Sequence, residues 1–132
     1  MVCLDTDILI DFLKQRDYAI KIIKELQRRE ENLSTTSINT FELYKGVVKS
    51  NNQEALIPLN NLLTNLKILN FNFINSKKAA EIFEDLNLKT KGELLDLADI
   101  MIASIAISNN ESLLTNNISH FKRIPELKLE KI

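Results

Sequence analysis

The sequence predicts an α/β fold: a central, mostly parallel sheet of about four or five strands with helices on both faces. Three observations carry that expectation. Short apolar runs alternate with longer stretches of helical periodicity along the chain, as in repeated strand–helix–strand units. No clear hairpin signal joins neighbouring runs. The chain also opens with Val2-Cys3-Leu4 running straight into Asp5-Thr6-Asp7 and then into an apolar helical pattern. That opening puts a carboxylate at the carboxyl end of a buried strand, the edge where α/β sheets place ligands and chemistry.

Taken in order, Val2–Leu4 reads as the first strand because it is short and apolar. Thr6 or Asp7 is positioned to cap a helix over Ile8–Lys14. Asp17–Glu30 is helical, with Tyr18, Ile22, Ile23 and Leu26 on one face. Leu33–Thr36 is a second strand. Asn39 or Thr40 opens a helix to about Ser50, with Phe41, Tyr44, Val47 and Val48 as its apolar face. Gln53–Asn65 is a Leu- and Ile-rich helix, and Lys67–Asn70 a third strand. Ser76–Leu86 is amphipathic, and the polar stretch Asn87–Glu93, containing Gly92, reads as a loop. Asp96–Asn109 is apolar nearly all round and therefore buried. Leu113–Thr115 is a fourth strand and Lys128–Ile132 a fifth.

Composition narrows the function. The 132 residues suit one domain over 1–132; they are 45% hydrophobic and 27% charged, with a net charge of -1. No global field draws the chain to nucleic acid or membrane, so phosphate recognition must be local. Cys3, the only cysteine, offers neither an internal disulfide nor a zinc cluster and is expected as a buried strand thiol. Two glycines exclude a phosphate-cradling Gly-rich loop. No stretch approaches a membrane span and no signal peptide opens the chain, so a cytoplasmic protein is expected.

Three acids stand out. Asp5 follows a strand. Glu42 lies early in its helix, sharing a face with Lys45, Gly46 and Lys49. Asp99 lies in the first turn of the buried helix, three residues after Asp96. In a parallel sheet these positions project toward one edge. Carboxylates without neighbouring Cys or His suit a hard cation, Mg²⁺ or Mn²⁺. Each also has an ordinary explanation: Asp5 with Asp7 as helix caps, Asp99 with Asp96 as first-turn acid and N-cap, Glu42 with Lys45 as a surface ion pair.

The same residues resemble the PIN-domain family, specifically the VapC-like toxins of toxin–antitoxin pairs. Leu4-Asp5-Thr6-Asp7-Ile8-Leu9-Ile10 resembles the family opening. Ile38-Asn39-Thr40-Phe41-Glu42-Leu43-Tyr44-Lys45-Gly46 resembles its T-x-x-E-L-x-x-G helix, and Asp99-Ile100-Met101-Ile102-Ala103 its D-x-x-I-A segment. Leu114-Thr115-Asn116-Asn117-Ile118-Ser119-His120-Phe121 with Ile124-Pro125-Glu126-Leu127 resembles its closing segment. Each motif is weak alone; four in order along the chain are specific. The resemblance implies a ribonuclease using Mg²⁺ or Mn²⁺, silenced by a VapB-like antitoxin and forming a homodimer. It implies Asp5, Glu42 and Asp99 as core acids and metal ligands, with Thr6, Asp7, Thr115, Asn116 and Asn117 in support. Lys45, Lys49, Lys89 and Lys91 are candidate contacts to RNA. The sequence departs from the family in two places. Asp7 stands where Asn is usual, and a frequent fourth acid is replaced by Asn117 or His120.

Three other readings compete. Asp5-Thr6-Asp7 also resembles the D-x-D of haloacid-dehalogenase phosphatases, although Leu9 departs from that motif. A receiver domain would need a phosphoacceptor aspartate after the third strand, where Asn70 stands. A catalytically degenerate PIN domain would bind RNA or a partner without cutting.

Overall fold

The computed structural model describes residues 1–90 and 95–131, with the backbone alone at 88–90. Strand β1 (Val2–Leu4) leads into α1 (Thr6–Leu13) and α2 (Asp17–Arg28); β2 (Leu33–Thr36) leads into α3 (Ser37–Ser50). A 3-10 turn (Gln53–Ala55) precedes α4 (Leu56–Thr64) and β3 (Lys67–Leu69). Then follow α5 (Phe73–Thr90), α6 (Leu97–Ser108), β4 (Ser112–Leu114), α7 (Ile118–Phe121) and β5 (Lys128–Leu129).

The five strands form one sheet in the order β3-β2-β1-β4-β5, and every pairing is parallel. The first strand of the sequence is thus the central one, with Val2 opposite both Leu33 and Ser112. Successive side chains of a strand face opposite sides, and the core divides accordingly. Val2 and Leu4 pack with Ile8, Leu26, Leu43 and Leu59 on one face. Cys3 packs with Ile102, Ala103, Leu113 and Phe121 on the other. Helices cover both faces, as a buried parallel sheet requires.

Helix α6 is buried almost all round, through Ile100, Ile102, Ala103, Ser104, Ile105 and Ala106. Its apolar circumference follows from its place between the sheet and α5. Four helix ends use non-glycine residues in the left-handed region: Gln15, Glu30, Asn51 and Asn110, with φ of 52° to 59°. With so few glycines in the chain, side-chain-bearing residues close these turns at some cost in strain.

Several boundaries differ from the sequence-based expectation. Helix α1 starts at Thr6, so Asp5, not Thr6 or Asp7, is its N-cap. Helix α3 begins at Ser37, capped by Thr36, because Asn39 completes a capping box as the third helical residue. The helix expected over Gln53–Asn65 is divided into a 3-10 turn and α4. Helix α5 is longer than expected at both ends. An Asn72–Asn75 exchange of side-chain and backbone hydrogen bonds opens it at Phe73, and the loop expected from Asn87 is helical to Thr90.

At the amino-terminal edge of the sheet Glu111 is buried, 2% exposed. Its Oε2 accepts the Ser34 hydroxyl proton at 2.9 Å, while its Oε1 has no hydrogen-bond partner among the described residues. Burial, first, and the Glu111 charge push the nearby Cys3 thiol up to about 12. Cys3 is accordingly the inert strand thiol expected from its setting.

Candidate active site

The site forms at the carboxyl edge of β1, β2 and β4. Asp5, 4% exposed, is held by three donors. Its Oδ1 accepts from the Thr6 backbone N–H at 2.8 Å and from Asn39 Nδ2 at 3.0 Å. Its Oδ2 accepts from the Thr115 hydroxyl at 2.6 Å. Such a shell fixes the plane of the carboxylate.

Glu42 reaches the same place from α3. Its Oε1 accepts the Thr6 hydroxyl proton at 2.8 Å. The surface ion pair considered between Glu42 and Lys45 is replaced by this inward contact. Lys45 instead lies with its ammonium 5.6 Å from the centre of the Phe41 ring, a cation–π distance.

Asp99, in the first turn of α6, completes the acidic group. Burial, and then the charges of Asp5, Asp96 and Glu42, push its carboxyl up to about 6. His120 Nδ1 stands 3.6 Å from Asp99 Oδ2. Asp96 caps α6 by accepting the Ala98 N–H, the ordinary role considered for it.

Asp7 braces the loop after β4. Its Oδ2 accepts the Asn116 N–H at 2.9 Å and its Oδ1 accepts the Ile8 N–H at 2.7 Å. Burial, followed by the charge of Asp5, pushes Asp7 up to about 6. The Asn116 amide donates to the Tyr18 hydroxyl, which donates to Asp11. Asn117 donates its backbone N–H to Thr115 Oγ1, and its side chain is exposed.

The acids named from sequence are therefore brought to one edge together with Thr6, Asp7 and Thr115. Lys45 and Lys49 are exposed on α3, and the Lys89 side chain and Lys91 lie outside the described residues. Sequence reading missed Asn39 as a partner of Asp5 and Thr6, and missed Tyr18 and Asp11 behind Asn116. The Thr36-x-x-Asn39 spacing of a capping box was the available signal for Asn39; nothing in the sequence marked the other two.

Among the described residues no three His, Cys, Asp or Glu side chains already form a metal-holding group. The donor chemistry nonetheless fits a hard divalent cation. Burial first, and then the surrounding acids, raise Asp99, and a bound cation would relieve the repulsion among them. Asp5 accepts from three donors and keeps one of its roughly four acceptor positions, on Oδ2, for a further partner. The strand order separates this sheet from the 2-1-3-4-5 order of flavodoxin-like folds.

Comparison with known proteins assigns this parallel-sheet fold to a family. The PIN domain model matches residues 2–127, and the chain belongs to the PIN-domain family. Ribonuclease VapC2 of Rickettsia felis is 35% identical over 130 residues, covering 96% of this chain and 94% of that protein. Ribonuclease VapC2 of Haemophilus influenzae is 32% identical over the same shares of the two chains. Among solved structures, VapBC2 from Rickettsia felis bound to a promoter DNA fragment matches with a TM-score of 0.87 and 34% identity, covering 98% of each chain. VapBC-1 from nontypeable Haemophilus influenzae matches at 0.85 and 29% identity, covering 99% of this chain and 98% of that one.

Proposed function

We propose that this chain is the toxin of a VapBC-type toxin–antitoxin pair, a cytoplasmic endoribonuclease that hydrolyses RNA at a Mg²⁺ or Mn²⁺ ion. Asp5, Glu42 and Asp99 hold the ion. The observation carrying this reading is the meeting of acids at one edge, where Asn39 and Thr6 tie Asp5 to Glu42 and Asp99, raised first by burial, also feels the charge of both; a cation relieves an acidic group of this kind. Whole-length similarity to named VapC ribonucleases supports it.

A divalent ion in such a site lowers the pKa of water and neutralises charge on a phosphoryl group. The protein's part is geometric. Thr6, Asn39 and Thr115 keep Asp5 oriented. Thr6 holds one Glu42 oxygen, so the other can turn to the ion or orient attacking water. In-line attack at phosphorus would break the P–O3′ bond and leave a 5′-phosphate and a 3′-hydroxyl. Lys45 and Lys49 contact the RNA backbone beside Gly46. Single-stranded or loop RNA is the substrate class, since so small an edge cannot read a duplex interior.

The partner is a VapB-like antitoxin, as in the complexes that this fold matches. An open, mostly apolar cleft of about 800 Å³ between α1, α2 and α4, lined by Phe12, Leu13, Ile20, Ile23, Pro58 and Leu62 among others, offers a seat for an apolar segment. A homodimer would use the exposed stripe of α3, where Phe41 and Val48 are 61% and 76% exposed.

The test is incubation of purified protein with a pool of tRNA and rRNA in Mn²⁺, Mg²⁺ or chelator, beside Asp99→Asn. Metal-dependent cuts absent from the variant establish the reading. No cuts together with no metal binding would replace it with the degenerate, non-cutting PIN domain.

A further inference from the structure

Asn39 is fully buried, and its two polar ends face different ways. Its Oδ1 accepts from the Thr36 N–H at 3.2 Å and from the Thr36 hydroxyl at 2.7 Å. A backbone N–H can only donate, so this end of the carboxamide must be oxygen and the other must be nitrogen. The nitrogen points away from the cap, into the acidic edge. It donates to Asp5 Oδ1 at 3.0 Å and to Thr6 Oγ1 at 2.8 Å. Because Thr6 receives that proton, its own single hydroxyl proton is directed to Glu42 Oε1 at 2.8 Å. The sense of every bond in the chain from Thr36 to Glu42 is thereby set.

A capping box needs only the oxygen end of such a side chain. Capping therefore leaves the nitrogen end unexplained, at a point where one amide meets Asp5 from β1 and, through Thr6, Glu42 from α3. Groups standing behind metal-binding side chains in this way typically change metal affinity by 10–100-fold when removed.

We propose that Asn39 is a positioning residue of the active site. Its carboxamide, locked by Thr36, fixes Asp5 directly and Glu42 through Thr6 in the orientation that receives the metal. This rests on the metal-dependent reading above.

The test combines Asn39→Leu, Thr6→Val and the double variant with wild type. Mn²⁺ affinity is measured by calorimetry, unfolding midpoint without metal, and exchange of the Asn39 side-chain amide protons by ¹⁵N NMR. Each single variant is expected to weaken Mn²⁺ binding about ten-fold, and the double variant no further than the weaker single, because both interrupt one chain of bonds. In metal-free wild type the Asn39 amide protons should exchange slowly, and Thr6→Val should speed that exchange. Unchanged Mn²⁺ affinity with a lowered unfolding midpoint in Asn39→Leu would reduce Asn39 to a helix cap and overturn the proposal. Fully additive losses would overturn the route through Thr6. Should Asn39→Leu fail to fold, Thr6→Val and the wild-type exchange rates still decide. A wild type that binds no Mn²⁺ would defeat the metal reading itself. The metal-free exchange data would then judge the bond chain separately, and Thr6→Val leaving exchange unchanged would reject it.

Discussion

The Thr115 hydroxyl donates to Asp5 Oδ2 at 2.6 Å, joining residues 110 positions apart in sequence. With the Asn39 and Thr6 donors on Oδ1, this makes Asp5 a structural anchor as well as an acid of the site. Asp5→Asn would set an amide donor against one of these donors. It is expected to abolish cleavage and to lower stability by about 1–3 kcal/mol, read as a reduced unfolding midpoint. An unchanged midpoint would contradict the donor shell described.

Asp99 should behave in the opposite way. Its carboxyl is raised from an ordinary 3.8 to about 6, so the folded chain binds the proton more tightly than the unfolded chain. The stabilisation from protonated Asp99 is present below pH 3.8 and is lost as pH rises through about 6. That elevation corresponds to about 1–3 kcal/mol once solvent screening at this edge is allowed for. Without metal, Asp99→Asn should therefore unfold a few degrees above wild type at pH 7.5 while losing activity. Mn²⁺ binding by wild type should weaken as pH falls below 6. A lower midpoint in the variant would remove this account of Asp99.

Glu111 offers a test remote from the site. Burial raises its carboxyl, so its favourable contribution is present below its ordinary value of about 4.5 and lost as pH climbs through the raised one. Glu111→Gln should stabilise the protein near pH 7.5 and flatten the pH dependence of unfolding. Denaturant titrations at pH 5 and 7.5 would measure both, and cleavage should be unaltered.

Gly46 separates stability from substrate access. A Cβ there meets nothing within 4 Å, and alanine in a helix interior is favoured by about 0.5–1 kcal/mol. Gly46→Ala should raise the unfolding midpoint. If RNA passes over this face, the same variant should raise KM with little change in kcat. A raised midpoint with unchanged KM would move the RNA path elsewhere.

The cleft between α1, α2 and α4 can be tested by charge. Leu62→Glu, at its partly open wall, should leave cleavage intact and weaken neutralisation by a co-expressed antitoxin at least ten-fold. Equal neutralisation would place the antitoxin seat outside the cleft.

Much of this arrangement was legible in the sequence because parallel sheets write themselves as alternating periods. The strand at Leu33–Thr36 was recovered residue for residue, from its place between two helical patterns, since only Leu33 in it is apolar. The acids were legible through position: Asp5 after a strand, Asp99 at a helix start. Helix starts were harder, because side chains decide them through local bonding. Asn39 looks like an N-cap in sequence but is the third residue of α3, since Thr36 supplies the cap. The exchange between Asn72 and Asn75 hid the start of α5 in the same way. The Tyr18–Asn116 contact spans 98 residues; only the packed fold reveals it.

The central place of β1 has a consequence for synthesis. The strand carrying Asp5 is flanked by β4, and Thr115, which holds Asp5, follows β4 directly. At about 5–20 residues per second on the ribosome, roughly 5 to 20 s separate the making of these two segments. During that interval the nascent chain lacks β4 and a complete cutting edge. The edge at Asp5 is thus assembled only once β4 and Thr115 have been made.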